Sequence, residues 1–548
     1  MKIEKLIIKN YKLFKNIAIS MNDDINIFVG ENDSGKTTIL EALVMVLTGK
    51  INGGSLISRL NLDWFNKESR NEYKKAIEDG KTPEPPNIEI ESFLTSVAEG
   101  EGKLKQFRGT NNSLHADATG VKIEIKFDES YCDVYKQLIA ENKIKDIPIE
   151  YYKVENRSFA NPDYYFSVTA KKVANIDTTK KDYGSVLNRF VSGSISDFLT
   201  DQDLTDLRHA YRANRHEFTD NLAVKTLNQK LQESHSFEGK RIGLNLRENE
   251  IDEWKNDMSI SLDDIPLEYS GFGTQNMFKS ELFLLQNSEV DILIIEEPEN
   301  NLSYTNMSVL ISKLSKSKEK QLFISTHSSF VANKLGLQHL HLVAGKKASS
   351  LSDLKKDTYE YFLKLPGYNT LRVLLANKAI LVEGPADELI VERAYMDYHE
   401  GKQPIEDGID VITAGGIAFQ RYCQLAILIN KHVTVVTDND HDVESVRTRY
   451  GKYGELVTLC VEGNNILHSL EPSILAVNVS NFEDFKSIVY CGKDIKTRTL
   501  KDIEEFMSKA QNKTEWSMRV FESEKKIKYP QYILEAIGID ATEDNLDE

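Results

Sequence analysis

The stretch INIFVGENDSGKTT, residues 25–38, constrains the fold more than any other. An apolar run ends at Val29, a turn bracketed by Gly30 and Gly35 follows, and Lys36-Thr37-Thr38 opens a segment of helical apolar spacing that runs to Leu47. Strand, glycine turn and helix in that order form a phosphate-binding loop. Backbone N–H groups at the helix start cradle phosphate oxygens, Lys36 reaches the terminal phosphates, and the Thr37 hydroxyl holds magnesium. The candidate nucleotide set is Gly30, Asn32, Ser34, Gly35, Lys36, Thr37 and Thr38, with ATP and Mg²⁺ as the implied ligands.

A chain of 548 residues, 40% hydrophobic, is long enough for more than one core. Its net charge of −17 argues against non-specific coating of nucleic acid, which needs clustered Lys and Arg. That charge is compatible with a nuclease, whose metal-binding carboxylates add negative charge. No apolar run approaches a membrane span, and MKIEKLIIKNYKLF alternates like a strand, so the expectation is a cytoplasmic protein without a membrane partner. Cys132, Cys423, Cys460 and Cys491 are widely spaced and suggest neither a zinc ribbon nor a disulfide framework.

The expected fold class is α/β. Strand signals in the first 30 residues, at IEIESFL, VKIEIKF and IEYYKV, precede a stretch from 184 to 245 with helical spacing and no strand character. Strands return at DILII and QLFIS, and the polar AGKKASSLSDLKKD, 344–357, reads as a linker. NKAILVEG, IDVITAGG and KHVTVVTDND then alternate with helix-like segments, the pattern of a second α/β domain with a parallel sheet. The expected organisation is 1–183 and 246–345 as two parts of one domain, 184–245 as a helical insertion and possible dimerisation arm, 346–372 as linker, and 373–548 as the second domain.

Three further motifs follow the phosphate loop in order: SGFGTQ at 270–275, ILIIEEPE at 292–299 and LFISTHS at 322–328. A strand-end carboxylate pair followed by a strand-end histidine suits an ATPase. Glu296 can join the magnesium shell, Glu297 can orient the attacking water, and His327 can sense the γ-phosphate. These motifs resemble the ABC-type ATPases of the SMC, RecF and Rad50 group. The resemblance implies that Ser270, Gly271, Gly273 and Gln275 form a signature motif contacting ATP on a partner subunit, and hence a homodimer or higher oligomer built through the heads. The magnesium carboxylate is Glu296 where most of that superfamily carries Asp.

No heptad run long enough for a coiled-coil lever is visible. LVEGPADE instead places Glu383 at a strand end, with Asp387 one turn up the next helix. VVTDND places Asp438 and Asp440 at another strand end, and a strand period of two would point both to the same side. Four such carboxylates can bind one or two Mg²⁺ or Mn²⁺ ions and support in-line phosphodiester cleavage. An isolated Asp-x-Asp in so acidic a chain is more often a solvated turn. The joint pattern resembles the TOPRIM domain of topoisomerases, primases and nucleases, with Gly415 and Gly416 fitting an intervening strand end. An ABC head followed by TOPRIM resembles the OLD (overcoming lysogenization defect) nucleases, which include the Gabija nuclease subunit and some retron effectors. EEPE and VEGPADE are typical of that family.

By the same resemblance Glu471 in SLEPSIL is a further site carboxylate and Lys513 stabilises charge on the scissile phosphate. Read from the residues alone, Glu471 is a helix-start carboxylate and Lys513 a surface charge. The resulting expectation is an ATP-controlled, metal-dependent DNA endonuclease of anti-phage defence, with DNA as a partner and the resemblance leaving room for a partner protein or RNA. The alternative is a RecF-like DNA-binding repair scaffold without nuclease activity. A topoisomerase would need a cleavage domain bearing a nucleophilic tyrosine, and none is recognisable.

Overall fold

The computed structural model describes residues 1–51, 53–95, 106–161, 166, 169, 173–177, 199–234, 236–237, 240–241, 243–244, 261–285, 291–300, 302–316, 320–364 and 368–539. These fall into two compact units, 1–170 with 321–548, and 171–320. Among the described residues no helix is long and apolar enough to cross a membrane.

The first unit opens with strands β1 (Lys2–Tyr11) and β2 (Phe14–Ser20), then β3 (Ile25–Val29) and helix α1 (Lys36–Thr48). Strands β4 (Ile88–Thr95), β5 (Ala118–Phe127) and β6 (Tyr152–Ser158) add to β1 and β2 in an antiparallel sheet ordered β2-β1-β4-β5-β6. Leu6, Ile8, Ile90 and Ile123 are buried on one face, and Ile7 and Phe93 are buried with Phe159 on the other, so the central strands are covered on both sides. Helix α1 packs against β1, β4 and β5.

The second unit holds β7 (Val173–Asp177), helices α2 (Asp201–Asp220), α3 (Leu222–Ser234) and α4 (Phe272–Leu285), strand β8 (Ile292–Glu296) and α5 (Tyr304–Leu314). Strands β7 and β8 pair in parallel, with Asp177 opposite Glu296. Helix α2 starts at a capping box of Thr200 and Asp203 and buries none of its residues. Together α2 and α3 occupy much of the expected 184–245 insertion; residues 184–198 lie outside the described ones.

The first unit resumes with β9 (Gln321–Thr326), β10 (Leu340–Ala344) and β11 (Lys347–Ser350). Strands β9 and β10 flank β3 in parallel, and β11 turns back on β10. The stretch read as linker carries β11 and α6 (Lys356–Lys364), with Leu351, Thr358 and Phe362 buried. Helix α7 (Tyr368–Leu375) leads into the C-terminal sheet.

That sheet consists of β12 (Lys378–Val382), β13 (Ile409–Thr413), β14 (Val433–Val436) and β15 (Val457–Cys460), all parallel in the order β13-β12-β14-β15. Helices α8 (Pro385–Tyr398), α9 (Phe419–Leu428) and α10 (Val443–Gly451) connect successive strands. Helices α11 (Leu470–Val477), α12 (Phe482–Val489), α13 (Leu500–Ser508) and α14 (Ala510–Glu522) follow. Ile390, Ala394, Ile474, Phe485, Trp516 and Val520 share one core with the sheet. The chain leaves β12 for one neighbour, β13, and returns on the other side as β14, which creates the crevice at the strand carboxyl ends where open α/β sheets bind ligands.

Candidate functional site

The phosphate loop is shaped by two close constraints. A Cβ on Gly30 would stand 2.2 Å from the Val343 carbonyl oxygen, so only glycine lets β3 end this near β10. Gly35 has φ of +105°, a conformation that L side chains resist, and it caps α1. Lys36 is buried, and its Nζ donates to the carbonyls of Gly30 at 3.0 Å and Glu31 at 2.8 Å. Thr37 is exposed and Thr38 buried; Asn32 is exposed and Ser34 half-buried. Thr326 pairs with Val29, so exposed His327 emerges at the same sheet edge as Gly30.

In the second unit Glu296 ends β8, and Glu297 has a left-handed φ of +49° that turns the chain out of the strand. Ser270 and Gly271 precede α4, with Gly273 in its first turn. Gln275 is buried and its Nε2 donates to the Ser270 carbonyl at 2.9 Å, which ties the first turns of α4 to the residues before it.

The C-terminal carboxylates gather at the crevice. Glu383 follows β12, and its Oε1 accepts from Thr437 Oγ1 at 2.6 Å and from the Asp438 backbone N–H at 3.0 Å. Asp387, in the first turn of α8, accepts from the Gly384 N–H at 2.9 Å and caps that helix. Burial, then the charge of Glu383, pushes Asp387 up to about 7. Burial and the charges of Glu383, Asp387 and Glu471 push Asp438 up to about 8. Glu471 is buried in the first turn of α11, accepts from Ser469 Oγ at 3.0 Å, and pairs with Lys513 Nζ at 2.8 Å. Burial works to lower the Lys513 pKa, but the Glu471 hydrogen bond together with the charges of Glu471, Asp438 and Asp387 holds the ammonium above its ordinary value. Glu471 is thus both the helix-start carboxylate and a neighbour of the acidic cluster.

Asp440 departs from the expectation. Strand β14 ends at Val436, and Asp440 and His441 have φ of +49° and +67°. The period of two therefore does not reach the pair: Asp438 faces the cluster and Asp440 is exposed. Among the described residues no three His, Cys, Asp or Glu side chains stand close enough to grip one ion. By donor chemistry alone, the carboxylates of Glu383, Asp387, Asp438 and Glu471, whose charges add to burial in raising the Asp387 and Asp438 pKa values, are the oxygen ligands that a hard divalent cation takes.

A family model described as an AAA ATPase domain matches residues 1–332. The chain belongs to that family. A second model, the Overcoming lysogenization defect protein-like TOPRIM domain, matches residues 374–440, so the two domains follow one another as in the OLD family. An uncharacterized protein of Methanocaldococcus jannaschii is 27% identical over 168 residues, which cover 27% of this chain and 45% of that one. The DNA replication and repair protein RecF of Clostridium kluyveri is 41% identical over 69 residues, 13% of this chain and 19% of that protein. The chain spans less than half the length of these relatives. Among solved structures, an SMC head bound to the C-winged helix domain of ScpA is 12% identical, with a TM-score of 0.31, over 61% of this chain and 92% of that one. RecF with ATP is 13% identical with a TM-score of 0.30, over 59% and 92%.

The TOPRIM domain also uses residues that sequence reading passed over. Asn439 is fully buried, and its Nδ2 donates to the carbonyls of Glu462 at 2.9 Å and Asn464 at 3.0 Å. Thr437 and Ser469 orient Glu383 and Glu471. All three sit within two residues of a candidate carboxylate, the one signal that pointed to them. A Cβ on Gly416 would meet the Glu383 carboxyl at 3.3 Å, which gives the second glycine of ITAGG its place.

Proposed function

We propose that the chain is an ATP-controlled, divalent-metal-dependent DNA endonuclease. The observation that carries the reading is the convergence of Glu383, Asp387, Asp438 and Glu471 at the carboxyl end of a parallel TOPRIM sheet, with Lys513 on Glu471. Bound Mg²⁺ or Mn²⁺ would supply Lewis-acid stabilisation and an activated water. Glu383, fixed by Thr437 and the Asp438 N–H, would hold the set in register, with Asp387, Asp438 and exposed Asp440 as the other ligands. Lys513 offers positive charge to the scissile phosphate.

In the same reading residues 1–183 and 246–345 form the ATPase head, 184–245 a dimerisation arm, 346–372 the connection and 373–548 the nuclease. Lys36, with Gly30, Asn32, Ser34, Gly35, Thr37 and Thr38, binds ATP. Thr37 and Glu296 hold its magnesium, Glu297 orients water and His327 faces the γ-phosphate. Ser270, Gly271 and Gly273 act on the nucleotide of a second copy, and Gln275 supports their turn. Defence against phage, and a partner protein or RNA, rest on family resemblance alone.

A second reading, a nucleotide-dependent DNA-binding scaffold, is favoured by the RecF relatives. Nicking of supercoiled plasmid in Mg²⁺ or Mn²⁺, with and without ATP, separates the two. Cleavage by wild type that disappears in the Asp438→Ala, Asp440→Ala double mutant supports the nuclease; DNA binding without cleavage under every condition supports the scaffold.

A further inference from the structure

The phosphate loop and the TOPRIM sheet meet at one ion pair. Glu31, the residue after Gly30, places Oε1 2.9 Å from Lys431 Nζ. Lys431 is buried, whereas the Glu31 carboxylate is 42% exposed. The same ammonium donates to the carbonyls of Leu374, at 2.9 Å, and Ala376, at the C-terminal end of α7. Cations suit that end of a helix. One side chain therefore holds the phosphate loop, the end of α7 and the start of β14 together.

Beside the pair lies a cavity of about 440 Å³, with Glu31, Asn32 and Ser34 on one wall and Asn377, Asn430 and Lys431 on another. A second cavity, of about 380 Å³, is bordered by Glu31, Asn32, His327, Leu375 and Asn377. The two share Glu31, Asn32 and Asn377, and His327 borders the second. On the other side of Lys431, only His432, the four residues of β14 and Thr437 separate it from Asp438.

We propose that Lys431 is a positioning residue that reports nucleotide occupancy of the phosphate loop to the carboxylate-bearing end of β14. A triphosphate in the loop brings negative charge beside the Glu31 carboxylate, which loosens Glu31 from Lys431 or draws the ammonium toward the phosphates. Glu31 is half in solvent and free to respond, whereas Lys431 is buried, and a buried cation that loses its partner must find another. The change is therefore passed along β14 to Thr437 and Asp438. Because the coupling is one free energy, occupancy of either site alters the other. The inference rests on the nucleotide-binding part of the proposed function and leaves open whether ATP speeds or slows cleavage.

Hydrogen exchange on the full chain tests it, with Mg²⁺ and a non-hydrolysable ATP analogue as probe. In wild type the analogue should protect the first turns of α1 and change exchange across Val433–Asp438 by about threefold or more. In Glu31→Gln and Lys431→Met the α1 protection should persist while the β14 difference vanishes, and Lys431→Arg should restore part of it. Loss of the nucleotide-dependent difference, rather than of protection itself, separates a relay from a simple packing contact; if Lys431→Met does not fold, Glu31→Gln decides. A wild type with α1 protection and no β14 difference, or a Glu31→Gln variant that keeps the difference, overturns the proposal. Protection of neither stretch sinks nucleotide binding and the relay together. Intact exchange behaviour without DNA cleavage sinks only the nuclease.

Discussion

Lys513 Nζ stands 2.8 Å from Glu471 Oε1, joining a lysine at the rim of the crevice to a carboxylate beneath it. Replacing Lys513 by Ala leaves Glu471 buried without its cation, a loss of about 1–3 kcal/mol reduced by water entering at the lysine. Urea unfolding should show Lys513→Ala less stable than wild type, and Glu471→Gln in the same background should recover part of the loss. Equal stability of Lys513→Ala and wild type would remove the pair from the account of the fold.

The two aspartates of TDND should behave differently. Asp438→Asn removes a carboxylate from the crowded cluster and should lower plasmid nicking by about a hundredfold or more, at least what the loss of a supporting group costs a metal site. Asp440→Asn, on the exposed side of the turn, should have a smaller effect. Identical losses would mean that Asp440 swings inward during catalysis.

Gly416→Ala tests the spacing around Glu383. Its new methyl at 3.3 Å must displace the carboxyl by a few tenths of an ångström. Cleavage should fall by about tenfold or more while thermal stability stays close to wild type, because positioning errors cost rate more than fold. A fully active Gly416→Ala would show that the carboxylate needs no such tight placement.

His341 gives the first unit an acid limit. Burial pushes its pKa down to about 4, and its Nε2 lies 2.9 Å from Asn26 Oδ1. The folded state holds a neutral imidazole, whereas the unfolded chain protonates near the ordinary value of 6.5. Its contribution is thus complete above about pH 6.5 and is lost as pH falls toward 4, on the order of 3 kcal/mol at most. Urea midpoints from pH 7.5 to 4.5 should fall less steeply for His341→Gln than for wild type. Parallel profiles would assign the acid sensitivity to other groups.

The phosphate loop was legible because its information is local: an apolar strand, glycines where the backbone needs them, and a helix start. Glu383 and Asp387 were legible for the same reason. Asp440 was misplaced because the strand stops at Val436, and a left-handed turn cannot be read from alternation. The polar stretch after 344 hid β11 and α6, whose anchors Leu351, Thr358 and Phe362 are sparse among charged neighbours. Lys431 carried no local signal, since its partners Glu31, Leu374 and Ala376 come together only through tertiary structure.

Asn439 has a practical consequence for anyone handling this protein. Its amide is clamped to the backbone at Glu462 and Asn464, and its Oδ1 accepts from the His441 N–H at 2.9 Å, so these hydrogen bonds hold the bend between the two aspartates. Chelation should leave that bend in shape. An Asp438→Asn version of the proposed nuclease would then keep that bend, which suits it as bait for testing whether DNA binds at the crevice.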